Sequence, residues 1–119
     1  MSRAAVLIFS SDPLSAALLG AAVELAELVP IFPQSAEGAR PALLRVRPQL
    51  VLVDCDHDEA CSDAFVGPAI MTGARVMLLR SRRSVTDRAA FAERLGLTVV
   101  EMPVEHETLG RLLHEELSR

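Results

Sequence analysis

The sequence predicts a single α/β domain of 119 residues built on a parallel sheet. Three observations carry that expectation. The runs AAVLIF (4–9), LVLVD (50–54) and RVMLL (75–79) are apolar throughout most of their length and do not alternate, as suits strands buried on both faces. A polar stretch and then a segment of helical spacing follow each run. Half of the residues are hydrophobic, yet Tyr and Trp are absent, so the core must be aliphatic.

The elements follow in order. The first strand stops at Ser10-Ser11-Asp12-Pro13, where Asp12 suits an N-cap and Pro13 a first helical position. The helix is expected from Pro13 to Glu27, with Leu14, Leu18, Ala21, Ala22 and Leu25 facing inward. Val29 to Phe32 reads as a short strand closed by Pro33. Ser35 opens a second helix to Arg47, which Pro41 should kink or delay. Leu50 to Asp54 is the third strand, and a polar loop from Cys55 to Glu59 follows. Ala60 to Met71 is a weaker helix containing Gly67 and Pro68, and Arg75 to Leu79 is the fourth strand. Ser84 or Thr86 caps a helix to Leu95, which Gly96 ends. Leu97 to Glu101 is the fifth strand. Val104 to Leu117 is a last helix with Leu109, Leu112, Leu113 and Leu117 inward. Strands alternating with helices imply right-handed crossovers with helices on both faces. Sites in such sheets form at the carboxyl ends of the strands, here Ser10-Ser11, Asp54, Arg80-Ser81 and Met102-Pro103.

The chain resembles the receiver domain of two-component response regulators over essentially its whole length. The segments that carry the resemblance are VLIFSSDPL, RPQLVLVDCD, ARVMLL and VVEMPVEHETL. It implies a flavodoxin-like (βα)5 doubly wound sheet with strand order 2-1-3-4-5. An active member of that family holds Mg²⁺ with two acids after the first strand. It accepts a phosphoryl group on an Asp ending the third strand. A Thr or Ser ends the fourth strand, a Tyr or Phe lies in the fifth, and Lys-Pro follows it. Mg²⁺ needs a carboxylate-rich oxygen shell, and the phosphoryl oxygens need cations.

Carried over residue by residue, the acid pair falls on Ser10 and Ser11, and Asp12 comes one position late. The phosphoacceptor position is Asp54. The hydroxyl position falls on Arg80, with Ser81 adjacent. The aromatic position is Val99, and the lysine position is Met102, with Pro103 retained. All twelve basic residues are Arg, so no lysine elsewhere can substitute. The resemblance is therefore to an atypical receiver, a pseudo-receiver. Asp54 is read either as a residual acceptor or a ligand contact at the sheet edge, or as a strand-end acid that hydrogen-bonds the loops or pairs with the Arg80 fork.

The run from Asp54 to Cys61 gathers two thiols, the His57 imidazole and several carboxylates. Its C-x-H-x₃-C spacing matches no familiar zinc motif, and a helix-capping acidic loop is the simpler expectation. Asp12, Asp56 and Asp58 are the weak metal candidates beside Asp54. Cys55 and Cys61 are candidates for a redox pair, but acidic surroundings do not activate a thiol. His106 and His114 read as surface residues of the last helix. Arg80, Arg82 and Arg83 form a small basic cluster.

Net charge is −4, which argues against direct nucleic-acid binding. Two cysteines are too few for a disulfide scaffold and fit a reducing compartment. No apolar stretch is long enough to span a bilayer, and no leader is evident, so a cytoplasmic domain without membrane contact is expected. The expected function is non-enzymatic regulation through a protein partner or a homodimer. The expected contact face is the fourth helix, fifth strand and last helix, including Val85, Arg88, Ala89, Ala92 and Val100. No cofactor is expected, with Mg²⁺ only if Asp54 is phosphorylated. A further alternative is a small-molecule pocket lined by Met102 and Val99.

Overall fold

The structure is a computed structural model that describes residues 3–82 and 88–119. Five strands and five helices alternate: β1 (Ala5–Phe9), α1 (Pro13–Leu25), β2 (Val29–Ile31), α2 (Ala39–Val46), β3 (Leu50–Asp54), α3 (Asp63–Met71), β4 (Arg75–Ser81), α4 (Ala89–Leu95), β5 (Thr98–Met102) and α5 (His106–Leu117). The strands form one parallel sheet in the order β2-β1-β3-β4-β5. This is the flavodoxin-like order that the resemblance implies. Ser84, Val85 and Thr86 lie outside the described residues.

The sheet separates two cores. On one face Leu7, Val51, Val53 and Leu78 pack under α2, α3 and α4. On the other, Val6, Ile8, Leu52 and Met77 pack under α1 and α5. Successive strand residues point to opposite faces, so each continuous apolar run feeds both cores at once.

Several boundaries differ from expectation for local reasons. Helix α2 begins at Ala39, not Ser35, which places Pro41 in the first turn, where no intrahelical donor is needed. Helix α3 begins at Asp63, because residues 55–61 are occupied by a turn. Strand β4 runs on to Ser81 and β5 to Met102, since each pairs with its neighbour beyond the apolar run. Gly96 ends α4 with φ of 67°, as expected.

The orientation of α1 is the largest correction. Leu14, Leu18 and Leu25 are 67%, 51% and 70% exposed, and Ala21 is exposed too. The inward face is Leu19, Ala22 and Val23. This helix is apolar on both sides, so periodicity alone does not select the buried one. Close contacts select it. A Cβ added to Gly20 would lie 3.0 Å from the Phe32 ring, and one on Gly110 of α5 would lie 3.3 Å from Ala26.

A bidentate ion pair closes the turn before α2. Arg45 Nε and an Nη each donate to Glu37 at 2.8 Å, and Glu37 Oε1 also accepts from the Gln34 amide. The hydrogen bonds from Arg45 hold the Glu37 carboxyl well below its ordinary 4.5, at about 2. A carboxyl with a depressed folded value stabilises above its unfolded value and loses that contribution as pH falls. Arg45→Gln should therefore be less stable than the parent near neutral pH, by urea unfolding. The gap should close as pH falls from 4.5 toward 2. A gap that persists unchanged to the lower value would contradict the assignment.

Candidate functional site

The carboxyl ends of β1, β3, β4 and β5 meet at one edge of the sheet. Strand alternation decides which side chains share it. Leu50, Leu52 and Asp54 point toward α1 and α5, as do Met77, Leu79 and Ser81. Val100 and Met102 point the same way. Ser81 therefore joins Asp54 and Met102 in lining a pocket at this edge, whereas Arg80, one residue out of phase, does not line it. Arg80 is exposed, and among the described residues no ion pair joins it to Asp54. The neutralising fork expected of Arg80 is absent because period-two alternation turns its side chain away. Counting by twos from Leu79 places Ser81 beside Asp54 once the register that pairs Leu79 with Asp54 is known.

Asp54 is half-buried and held by neutral donors. The Ser11 hydroxyl donates to its Oδ2 at 2.7 Å and the Ser11 amide at 3.2 Å. The Asp56 amide donates to Oδ1 at 2.9 Å. Ser10 turns to the backbone of Asp12, its hydroxyl donating to the carbonyl at 3.1 Å. The Asp12 carboxylate caps α1, accepting from the Ser15 amide at 3.0 Å and hydroxyl at 2.9 Å. Those two bonds lower its pKa from 3.8.

The 55–61 loop is a hydrogen-bonded turn. Cys55 donates its amide to the Leu79 carbonyl at 2.9 Å, tying the loop to β4. His57 Nδ1 accepts the Ala60 amide at 3.1 Å, and its ring meets Phe9 edge-on at 5.4 Å. Phe9 in turn meets Phe65 at 5.0 Å. His57 is thus a cap and an aromatic packing residue. Cys55 and Cys61 are 2% and 1% exposed and hydrogen-bonded to each other. That bond raises the Cys55 thiol and lowers Cys61, while burial raises both. Among the described residues, Asp56 Oδ1 and Arg88 Nε are buried without hydrogen-bond partners.

A receiver-type Mg²⁺ does not fit these residues. Hydroxyls stand where carboxylates are needed, Asp12 is turned to Ser15, and neither Asp56 nor Asp58 lines the pocket. Among the described residues, no three His, Cys, Asp or Glu side chains group as metal ligands.

No protein-family model and no curated protein matches the sequence. Solved structures do match. The chemotaxis protein CheY4 of Vibrio cholerae aligns with a TM-score of 0.75 and 16% identity, over 97% of this chain and 99% of that one. A CheY-like response regulator receiver domain protein of Methanospirillum hungatei gives 0.76 and 17%, over 98% and 95%. The signal receiver domain of a modulated diguanylate cyclase from Desulfovibrio desulfuricans gives 0.76 and 22%, over 98% and 95%. This chain has the receiver fold.

The receiver fold brings together Ser10, Asp54, Ser81 and Met102 at one pocket, with Ser11 bonded to Asp54 beside it. It leaves Arg80 and Val99 elsewhere. Val99 is 41% exposed and does not line the pocket, so the expected pairing of Met102 with Val99 is replaced by Met102 with Leu79 and Leu109. Alternation again explains this, since Val100 and not Val99 faces α1 and α5. No helix among the described residues is long and apolar enough to cross a membrane.

A double-mutant cycle of Ser11→Ala and Asp54→Asn tests the central contact. Coupling of about 1 kcal/mol is expected for an exposed charge-assisted bond. Additive urea-unfolding energies would contradict it.

Proposed function

We propose that this domain is an atypical, non-enzymatic receiver that signals by protein–protein contact, without conventional Mg²⁺-dependent phosphorylation of Asp54. The observation that supports the reading most directly is how Asp54 is held. Two donors of Ser11 and one backbone amide hold its carboxylate, where metal and phosphoryl chemistry would need acids and a cation. Ser10 and Ser11 cannot supply the missing charge, and Met102 cannot serve as the cation. The similar solved structures include response regulators and a chemotaxis protein, which makes signalling the natural setting for this fold.

The competing reading is phosphorylation at Asp54, and one observation favours it: Ser81 shares the Asp54 pocket, so a hydroxyl stands near the acceptor position. Treatment with a small acyl phosphate or beryllofluoride plus Mg²⁺ separates the two. We expect unchanged intact mass and unchanged amide shifts at Asp54, Ser81 and Val100. A stable phosphoryl adduct on Asp54 would establish the competing reading.

The contact surface also needs revision. Of the face formed by α4, β5 and α5, Ala92 and Val100 belong to the core. Arg88 is half-buried, Ala89 is exposed, and Val85 lies outside the described residues. Helix α1 offers more apolar area, because Leu14, Leu18 and Leu25 lie on one exposed stripe at spacings of the coiled-coil type. We assign self-association to this stripe. Sedimentation should give a dimer at high micromolar concentration, and Leu14→Arg with Leu25→Arg should give a monomer. Val99→Arg should leave the dimer intact. A monomeric parent protein would refute the assignment.

A further inference from the structure

The pocket beside Asp54 has a chemistry unlike its rim. Its volume is about 380 Å³, within the range of small-molecule sites. At water's share of roughly 30 Å³ per molecule, that is room for about a dozen non-hydrogen atoms. Its walls are apolar: Leu18, Leu19 and Ala22 from α1, Leu79 from β4, and Met102 and Leu109 from β5 and α5. Asp54 lines the same pocket, with Arg82 and His106 on its solvent-exposed rim.

The Asp54 carboxylate carries a charge that no cation within ion-pair distance answers among the described residues. An ionised carboxylate has about four acceptor sites. The amide and hydroxyl of Ser11 and the amide of Asp56 fill three of them. Among the described residues no donor fills the fourth, which is left for one that enters from the pocket. Met102 stands where the receiver resemblance would place a lysine, so the residue that would bring a cation to Asp54 brings apolar wall instead.

We propose that this pocket binds a small amphipathic primary amine. Its ammonium donates to Asp54, and its aliphatic or aryl body lies against Leu18, Leu79, Met102 and Leu109. A carboxylate head would meet the Asp54 charge unfavourably, and a neutral hydroxyl would forgo the charge-assisted bond. The site goes beyond the signalling role proposed above, and gives that role a chemical input which needs no phosphate.

Phenethylamine, 2-phenylethanol and 3-phenylpropanoate carry the same kind of apolar body with three different heads. Each is titrated into the labelled full chain and followed by amide and methyl NMR. Phenethylamine should shift Leu18, Leu79, Met102 and Leu109 at saturable concentrations. The alcohol should bind about tenfold more weakly, the margin of one charge-assisted bond, and the carboxylate should not bind. Asp54→Asn should reduce amine affinity to that of the alcohol while leaving the alcohol unchanged. Met102→Lys, which supplies the ammonium from the protein, should abolish amine binding. Shifts absent from the pocket residues would overturn the proposal. So would equal affinity for amine and alcohol, or an Asp54→Asn variant that binds the amine as the parent does. The phosphodonor experiment reports on a different property, so either result can fail alone.

Discussion

Alternation along a strand buried on both faces governs this molecule. In β1, β3 and β4 every second residue enters the α1–α5 core and the rest enter the core under α2, α3 and α4. Both helical layers depend on that division, because neither core could form if the strands slipped by one residue. The functional edge inherits the same rule. Ser10, Asp54, Ser81 and Met102 share a pocket because they continue the inward rows of their strands past the apolar runs. Arg80 and Val99 belong to the other rows. Their separation from Asp54 follows from the sheet and from nothing particular to the site.

At that edge, among the described residues, neutral donors hold the Asp54 carboxylate. The Ser11 hydroxyl, at 2.7 Å, is the closest donor to Asp54. The nearest acid in the sequence, Asp12, is committed to the first turn of α1. The loop beyond Asp54 is similarly self-contained. His57 caps the turn through Nδ1, and the two free thiols share a hydrogen bond out of solvent. These arrangements stabilise the loop but do not assemble a metal shell. What stays open to solvent is a carboxylate backed by an apolar wall, a combination suited to recognising a cation with an apolar body.

Helix α1 shows how a strong sequence signal can be ambiguous. Its residues are apolar on two sides, and either stripe satisfies helical periodicity. The sheet, Phe32 and α5 bury the Leu19, Ala22 and Val23 side, because Gly20 and Gly110 allow close approach there. The Leu14, Leu18 and Leu25 stripe is left to solvent.

The sequence by itself determined the fold class, the order of elements and the Asp12 and Gly96 helix ends. Those depend on local apolar runs, capping chemistry and left-handed backbone, which act over a few residues. It also determined that Ser10, Ser11 and Met102 stand where the resemblance implies two acids and a lysine. Tertiary structure alone decided which face of α1 is buried. It also decided that Ser81 and not Arg80 stands by Asp54. The physical reason is common to both: each depends on contacts between elements distant in sequence, set by sheet register and helix docking. The residues at those positions would have satisfied the local pattern either way.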